Sequence, residues 1–234
     1  MQPPDRWLPV TDRVSIVLFD LDGTLINAIG DISTCVNRAL VAEGMDAHDP
    51  ACFGPWLGEG LATLMHRAIA GDMHGQADTD LHGRCITHFR RSYNACGHAQ
   101  THVLHGATEL LNDLRDKGVF TAITTNKPQV STESVLDALG DHLPVDAVLG
   151  AEHKWPRKPE PDMLHAAIEM GGCGTAVLVG DSVIDRDAAA NAGIAFLAVR
   201  GGFNHGGEIG DAMPSPAHVF DDLAAVHTWL NTRI

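Results

Sequence analysis

Two aspartates spaced two apart, Asp20 and Asp22, close an apolar, β-branched run that begins at Val14, and Gly23 follows them. The run reads as a buried strand delivering acids to its C-terminal edge. In open α/β sheets the crevice outside those edges is where ligands bind. Along an extended chain both carboxylates would point the same way, and two anions that close repel unless a cation, a proton or a turn separates their roles. Mg²⁺, which prefers carboxylate, carbonyl and water ligands, would do so. A turn at Gly23 would bring backbone N–H groups toward an anionic ligand. That combination points to phosphoryl transfer, with an acidic turn after a strand as the plainer alternative.

Three further stretches carry reactive groups: Thr125-Asn126-Lys127, Lys158-Pro159, and Gly180-Asp181-Ser182-Val183-Ile184-Asp185. Taken singly, each has an ordinary reading. Thr125 and Asn126 fit a helix cap or a turn, Lys158 a solvated loop lysine, and Asp181 and Asp185 an acidic turn with a first-turn helix charge.

The elements that must position these groups follow from periodicity. Ile29, Ile32, Val36, Ala39 and Leu40 recur at helical spacing up to Gly44, and further helical patterns cover Leu57 to Ala70 and roughly Asp78 to Cys96. No strand signal interrupts this block before about Gln100. Beyond Thr108 helix and strand alternate. Apolar runs at Val119–Thr125, Val145–Leu149, Thr175–Val179 and Ala195–Val199 are separated by helices at about 108–118, 131–139, 161–170 and 186–192, and a helix over Leu223–Leu230 closes the chain. Pro161 falls early in its helix, where a first-turn proline is tolerated. Alternation of this kind implies a parallel sheet. The fold class expected is therefore α/β, a Rossmann-like parallel sheet core with an inserted helical cap domain. Residues 1–26 and 101–234 form the core, and 27–100 the cap. In such a sheet the four reactive stretches share one edge and converge on one crevice.

Together, and in this order, D-x-D-G-T, a threonine, a lysine and G-D-x-x-x-D resemble the haloacid dehalogenase superfamily over nearly the whole chain. The resemblance implies that Asp20 is a nucleophile forming an aspartyl-phosphate and that Asp22 is the general acid/base. It implies Mg²⁺ as cofactor, held by Asp20, Asp181 and the Asp22 carbonyl with Asp185 in support, and phosphoryl oxygens bound by Lys158 and Thr125. Asp22 argues against carbon–halogen cleavage, which needs no proton donor for an oxygen leaving group. Thr125-Asn126-Lys127-Pro128, Lys158-Pro159-Glu160-Pro161 and Gly201-Gly202-Phe203-Asn204-His205-Gly206 look like the phosphoglycolate-phosphatase-like branch, and they add Asn126 to the substrate-binding residues. Within the inserted helices, Trp56-Leu57-Gly58-Glu59-Gly60 and Arg67 resemble the cap segment that faces the active site. The chain departs from the family pattern at Asn27, Ala28, His105 and Arg186. What is implied is a Mg²⁺-dependent phosphatase of a small phosphomonoester, phosphoglycolate-like, a sugar phosphate or a nucleotide; the alternative is a phosphomutase acting on a sugar phosphate.

Composition agrees with an enzyme of small molecules. The chain has 234 residues, 44% of them hydrophobic, enough to bury a substantial core. Its net charge of −14 and lack of a basic patch disfavour nucleic acid and anionic membrane as partners. Five cysteines without a C-x-x-C pair fit free thiols in a reducing, cytoplasmic setting. Residues 1–13, rich in proline and charge, resemble neither a signal peptide nor an anchor, and no apolar run reaches membrane-spanning length. Nothing in the sequence bears on oligomeric state. His98, His102 and His105 read as hydrogen-bonding or surface residues rather than metal ligands, Arg90 and Arg91 as solvated, and Trp7, Trp155 and Trp229 as packing residues.

Overall fold

The first strand, β1 (Val14–Phe19), is buried at every position except Ser15. Its side chains divide between two apolar clusters. Val17 and Phe19 enter one, while Ile16 and Leu18 enter the other. A strand covered on both faces needs apolar residues on both, which is why the run is continuous rather than alternating. The computed structural model describes residues 13–151, 154–212 and 218–234. The proline-rich lead-in at 1–12, Trp7 within it, and two residues of the charged loop before Lys158 lie outside the described residues.

After β1 come the two-residue strand β2 (Ile26–Asn27) and four helices, α1 (Ile29–Ala42), α2 (Phe53–Trp56), α3 (Leu61–Ala70) and α4 (Thr79–Ala95). The chain returns through β3 (His102–Val103), which pairs antiparallel with β2. From there it runs α5 (Ala107–Asp116), β4 (Phe120–Thr125), α6 (Gln129–Leu139), β5 (Ala147–Gly150), α7 (Asp162–Gly171), β6 (Thr175–Gly180), α8 (Val183–Ala192), β7 (Ala195–Val199), β8 (His218–Phe220) and α9 (Leu223–Leu230).

The sheet has the order β5-β4-β1-β6-β7-β8, and every described pairing in it is parallel. The chain fills one side of β1 with β4 and β5, then crosses to fill the other from β6 onward. β1 and β6 therefore flank the point where strand order reverses, the place at which open α/β sheets bind ligands. Leu110, Leu111 and Leu114 of α5 and Val226 and Leu230 of α9 cover one face, while Met163 and Leu164 of α7 and Ala188 and Ala189 of α8 cover the other. Small alanines let α8 sit close to β6 and β7.

Several elements differ from the periodicity reading. The helix expected from Leu57 starts at Leu61, because Gly60 has φ +85 and no helix continues through it. The helix expected from Arg186 starts three residues earlier, where Ser182 and Asp185 form a reciprocal capping box. Pro161 occupies the N-cap position of α7, one place before its first turn. β2, β3 and β8 gave no sequence signal, being two or three residues long.

The inserted helices are fastened where the chain leaves and re-enters the core. Asp31 of α1 is buried, and its Oδ2 accepts hydrogen bonds from the Thr101 hydroxyl at 2.7 Å and the Gln100 N–H at 3.0 Å. His98, also buried, contacts the Ser134 hydroxyl on α6 at 2.9 Å, whereas His102 and His105 are exposed. Arg90 and Arg91 are exposed as well, and Trp155 and Trp229 pack against the two cores. Replacing Asp31 by alanine strands the buried Thr101 hydroxyl and frees the less buried Gln100 N–H, so the expected loss of stability is about 1–3 kcal/mol, measured as a lower urea midpoint. An unchanged midpoint would show that the fastening contributes nothing.

Candidate active site

Asp20 immediately follows β1, and its N–H still donates to the Val179 carbonyl of β6 at 2.9 Å, so the backbone that presents this carboxylate is held by the sheet. Next to it, Lys158 is buried, and its Nζ lies 2.6 Å from Asp20 Oδ1 and 2.5 Å from Asp185 Oδ1. Asp185 stands in the first turn of α8, where its Oδ2 also accepts from the Ser182 hydroxyl at 2.5 Å. Asp181, just past β6, accepts from the Thr24 hydroxyl and from the Phe203 N–H, both at 2.6 Å. Oxygens of Asp20, Asp181 and Asp185 all lie within 4.8 Å of one another. Among the described residues this is the one group of acids, histidines and cysteines placed to share an ion.

The backbone comes close enough to shape this cluster. Gly23 has φ +95, and a Cβ there would fall 2.5 Å from Asp181 Oδ2; at Gly202 the same distance is 2.2 Å. Only hydrogen fits at either place.

Asp22 goes elsewhere. The chain leaves β1 at Phe19, so alternation fails after that point, and the Asp22 carboxylate is bound through Oδ2 by Lys127 Nζ at 2.9 Å. Its Oδ1 is buried with no hydrogen-bond partner. Lys127 lies in turn 5.0 Å from the ring centre of Tyr93 on α4. Thr125, at the end of β4, accepts from the Lys127 N–H through Oγ1 at 3.2 Å. Asn126 is bound to main chain on both sides of its amide: Oδ1 accepts from the Lys158 N–H at 2.8 Å, and Nδ2 donates to the Lys158 carbonyl at 3.0 Å.

These groups line a single cavity, together with Leu57, Gly58 and Gly60 from the inserted segment. A model of the haloacid dehalogenase-like hydrolases matches residues 17–199. A phosphoglycolate phosphatase of Pseudomonas savastanoi pv. phaseolicola is 35% identical over 211 residues, 89% of this chain and 76% of that one. One from Nitrosococcus oceani is 29% identical over 218 residues, 92% and 96% of the two chains. The crystal structure of a predicted phosphoglycolate phosphatase from Haemophilus somnus superposes with a TM-score of 0.84 at 25% identity, covering 94% of this chain and 99% of the other. The chain belongs to the haloacid dehalogenase-like hydrolases. Within that family it sits with the phosphoglycolate-phosphatase-like phosphatases, hydrolases of phosphoric monoesters.

This hydrolase brings Asp20, Asp22, Thr125, Asn126, Lys158, Asp181 and Asp185 to its cavity, but not Arg67. Arg67 is buried with its guanidinium bonded to the Met73 and Trp56 carbonyls, both at 2.9 Å, and to Glu59 at 2.5 Å. The structure does not bring it, expected among the substrate-binding residues, to the others. It braces the loop carrying Leu57, Gly58 and Gly60, because a buried guanidinium needs acceptors and finds them there. His205 likewise reaches Glu59, at 3.6 Å, rather than the cavity. Asn126 lines the cavity, but as the clamp of the Lys158 loop. The sequence alone assigns no role to Lys127 or Phe203. The pairing of Lys127 with Asp22 had one faint signal, a lysine two places after Thr125.

The electrostatics favour a divalent cation. Burial, aided by repulsion from Asp185 and Asp22, pushes the Asp20 carboxyl up to about 7 against the pull of Lys158. Burial, and then the charges of Asp20 and Asp185, hold the Asp181 carboxyl well above its usual range despite its hydrogen bonds. Burial alone would lower the Lys158 ammonium, but Asp185 and Asp20 outweigh it and keep it above its ordinary value. Three crowded carboxylates with one ammonium among them are short of positive charge, and all-oxygen donors suit Mg²⁺.

A carboxyl that holds its proton more tightly folded than unfolded lowers stability once the unfolded form ionises. The cation-free hydrolase should therefore lose stability as pH rises from about 4 to about 7, the window between the ordinary and shifted Asp20 values, with Asp181 acting in the same direction. Melting temperatures in EDTA at the two ends of that window, taken as differences from Asp181→Asn, test this. The wild-type deficit should grow toward neutral pH and shrink on adding Mg²⁺. A deficit that shrinks toward neutral pH without cation would refute the charge analysis.

Proposed function

We propose that this hydrolase is a Mg²⁺-dependent phosphatase of small phosphomonoesters and works through an aspartyl-phosphate on Asp20. The observation that carries the reading is the convergence of Asp20, Lys158, Asp181 and Asp185 in one cavity, with Asp22 Oδ1 buried beside them and unpartnered.

Asp20 attacks phosphorus, forming an O–P bond as the bond to the alcohol oxygen breaks, and that alcohol takes a proton from Asp22. Asp22 then accepts a proton from water, whose oxygen displaces Asp20 and releases inorganic phosphate. Lys127 holds Asp22 by Oδ2 and so leaves Oδ1 to exchange the proton. Lys158 keeps a positive charge between nucleophile and phosphate, offsetting the repulsion between two anions, and Thr125 offers a hydroxyl at the same edge. Asp20, Asp181 and Asp185 would hold the cation, which when bound neutralises charge on the transferring phosphoryl group. The helices of residues 27–100 form the opposite wall as a cap that excludes water. A reducing cytoplasmic location fits the five cysteines, all unpaired in the structure.

Phosphate release from a phosphomonoester panel, with Mg²⁺ and with EDTA, tests this reading. Asp20→Asn should reduce kcat by at least about 10³-fold while substrate still binds, and EDTA should abolish turnover reversibly. Wild-type activity in Asp20→Asn would eliminate the nucleophile. Conversion of a sugar phosphate to its isomer without phosphate release would mark a mutase instead.

A further inference from the structure

Among the described residues, two that line the cavity each carry a buried polar atom without a hydrogen-bond partner: Asp22 through Oδ1, and Tyr93 of α4 through its hydroxyl. The first has a role, since it exchanges the proton of the leaving alcohol. The mechanism above does not use the second. A tyrosine hydroxyl withheld both from water and from any acceptor opposes folding, and phenylalanine would fill the same space without that cost. Nor is the Tyr93 ring free to turn toward a partner. It stacks on Phe89, with centres 5.1 Å and planes 15° apart, and meets the His98 ring at 4.9 Å and 64°.

Lys127, in the turn after β4, joins the two. Its Nζ donates to Asp22 Oδ2 at 2.9 Å and lies 5.0 Å from the centre of the Tyr93 ring. An ammonium has three hydrogens, and among the described residues this one makes a single hydrogen bond, the one to Asp22. Burial alone would lower the Lys127 ammonium, but Asp22 outweighs it and the charge is kept. Burial pushes the Tyr93 phenol up to about 12, so its hydroxyl remains a donor at neutral pH. This part of the cavity therefore holds more donors than acceptors. One is a phenol from the inserted helices and the other a cation from the sheet edge, and Asp22 Oδ2 is the one oxygen the described residues supply to either.

We propose that Tyr93 is a specificity-determining residue, its hydroxyl and the spare N–H groups of Lys127 together taking an oxygen of the leaving group that lies close to the ester. The proposal rests on the phosphatase reading above and adds to it the residues that read the leaving group. An alcohol that receives its proton from Asp22 Oδ1 has its next atoms beside Lys127, because Lys127 holds the other oxygen of the same carboxylate. A carboxylate suits this place better than a hydroxyl does. It accepts from both donors at once, and a hydrogen bond between an ammonium and a charged acceptor is the stronger kind.

The test compares phosphoglycolate, 2-hydroxyethyl phosphate and ethyl phosphate under identical Mg²⁺, in the wild type and in Tyr93→Phe, whose fold is checked by thermal melting. The three leaving groups are of similar length and end in a carboxylate, a hydroxyl and a methyl group. Wild-type kcat/KM should fall in that order, by at least about a hundredfold from first to last. Tyr93→Phe keeps the ring against Lys127 and removes only the donor. Its loss of kcat/KM should be at least about tenfold larger for phosphoglycolate than for ethyl phosphate. The intrinsic reactivity of the esters cancels in that comparison, and a merely structural role for Tyr93 would lower both alike. Ethyl phosphate hydrolysed by the wild type as well as phosphoglycolate, or equal losses for the two esters in Tyr93→Phe, overturns this proposal while leaving the phosphatase reading intact. Absence of turnover throughout the panel overturns both.

Discussion

The structure depends on keeping four carboxylates at one edge of a parallel sheet, largely out of water. They are accommodated in three ways. Asp20 and Asp185 share Lys158, Asp22 has Lys127, and Asp181 has a hydroxyl and a backbone N–H but no cation of its own. Asp181 is consequently where positive charge is most lacking. Such a cluster is not a source of stability, since desolvating the charges opposes their attraction. It is held together by apolar surface elsewhere, in the two clusters on either face of β1. Removing one partner is a different matter, because a buried charge then stands alone, and that typically costs about 3–5 kcal/mol.

Sheet topology turns this crowding into a site. β1 and β6 are neighbours although more than a hundred residues separate them, and the register that pairs Phe19 with Val179 sets Asp20 and Asp181 one place apart, each the first residue past its strand. β4, on the other side of β1, brings Thr125 and Lys127 to the same edge. Lys158 comes from a loop with no regular structure, so its position needs a separate device, and Asn126 provides it by gripping the Lys158 peptide on both sides. The residue beside the threonine thus acts on the lysine. Its side chain positions the main chain of another loop.

This division explains what the chain discloses in one dimension. The strands β1, β4, β6 and β7 are legible because burial on both faces requires unbroken apolar runs, and the site carboxylates are legible because strand ends are where such sheets bind ligands. Side-chain partners are not legible. Nothing local distinguishes Arg67, which bonds inward to Trp56, Met73 and Glu59, from an arginine reaching for substrate, and nothing local joins Lys127 to Asp22, 105 residues earlier. β2, β3 and β8 are too short for a period to register. The late start of α3 and the early start of α8 depend on backbone geometry at Gly60 and on the reciprocal bonds of Ser182 and Asp185, details that hydrophobic periodicity averages over.

The charged residues lining the cavity and most of the apolar ones come from different parts of the chain. Asp20, Lys158, Asp181 and Asp185 are constrained by one another: moving any of them alters the charge balance of the rest. Ile32, Leu57, Leu61, Leu64 and Phe89 carry no charge and make no hydrogen bond through their side chains, so they are constrained mainly by volume and contact. Volume-conserving apolar exchanges generally cost little stability. The inserted helices, joined to the core through the separate two-stranded ribbon of β2 and β3 and braced by Glu59 between Arg67 and His205, can therefore vary while the sheet edge keeps the same chemistry. For that reason resemblance in the four motifs fixes the reaction class more firmly than the substrate.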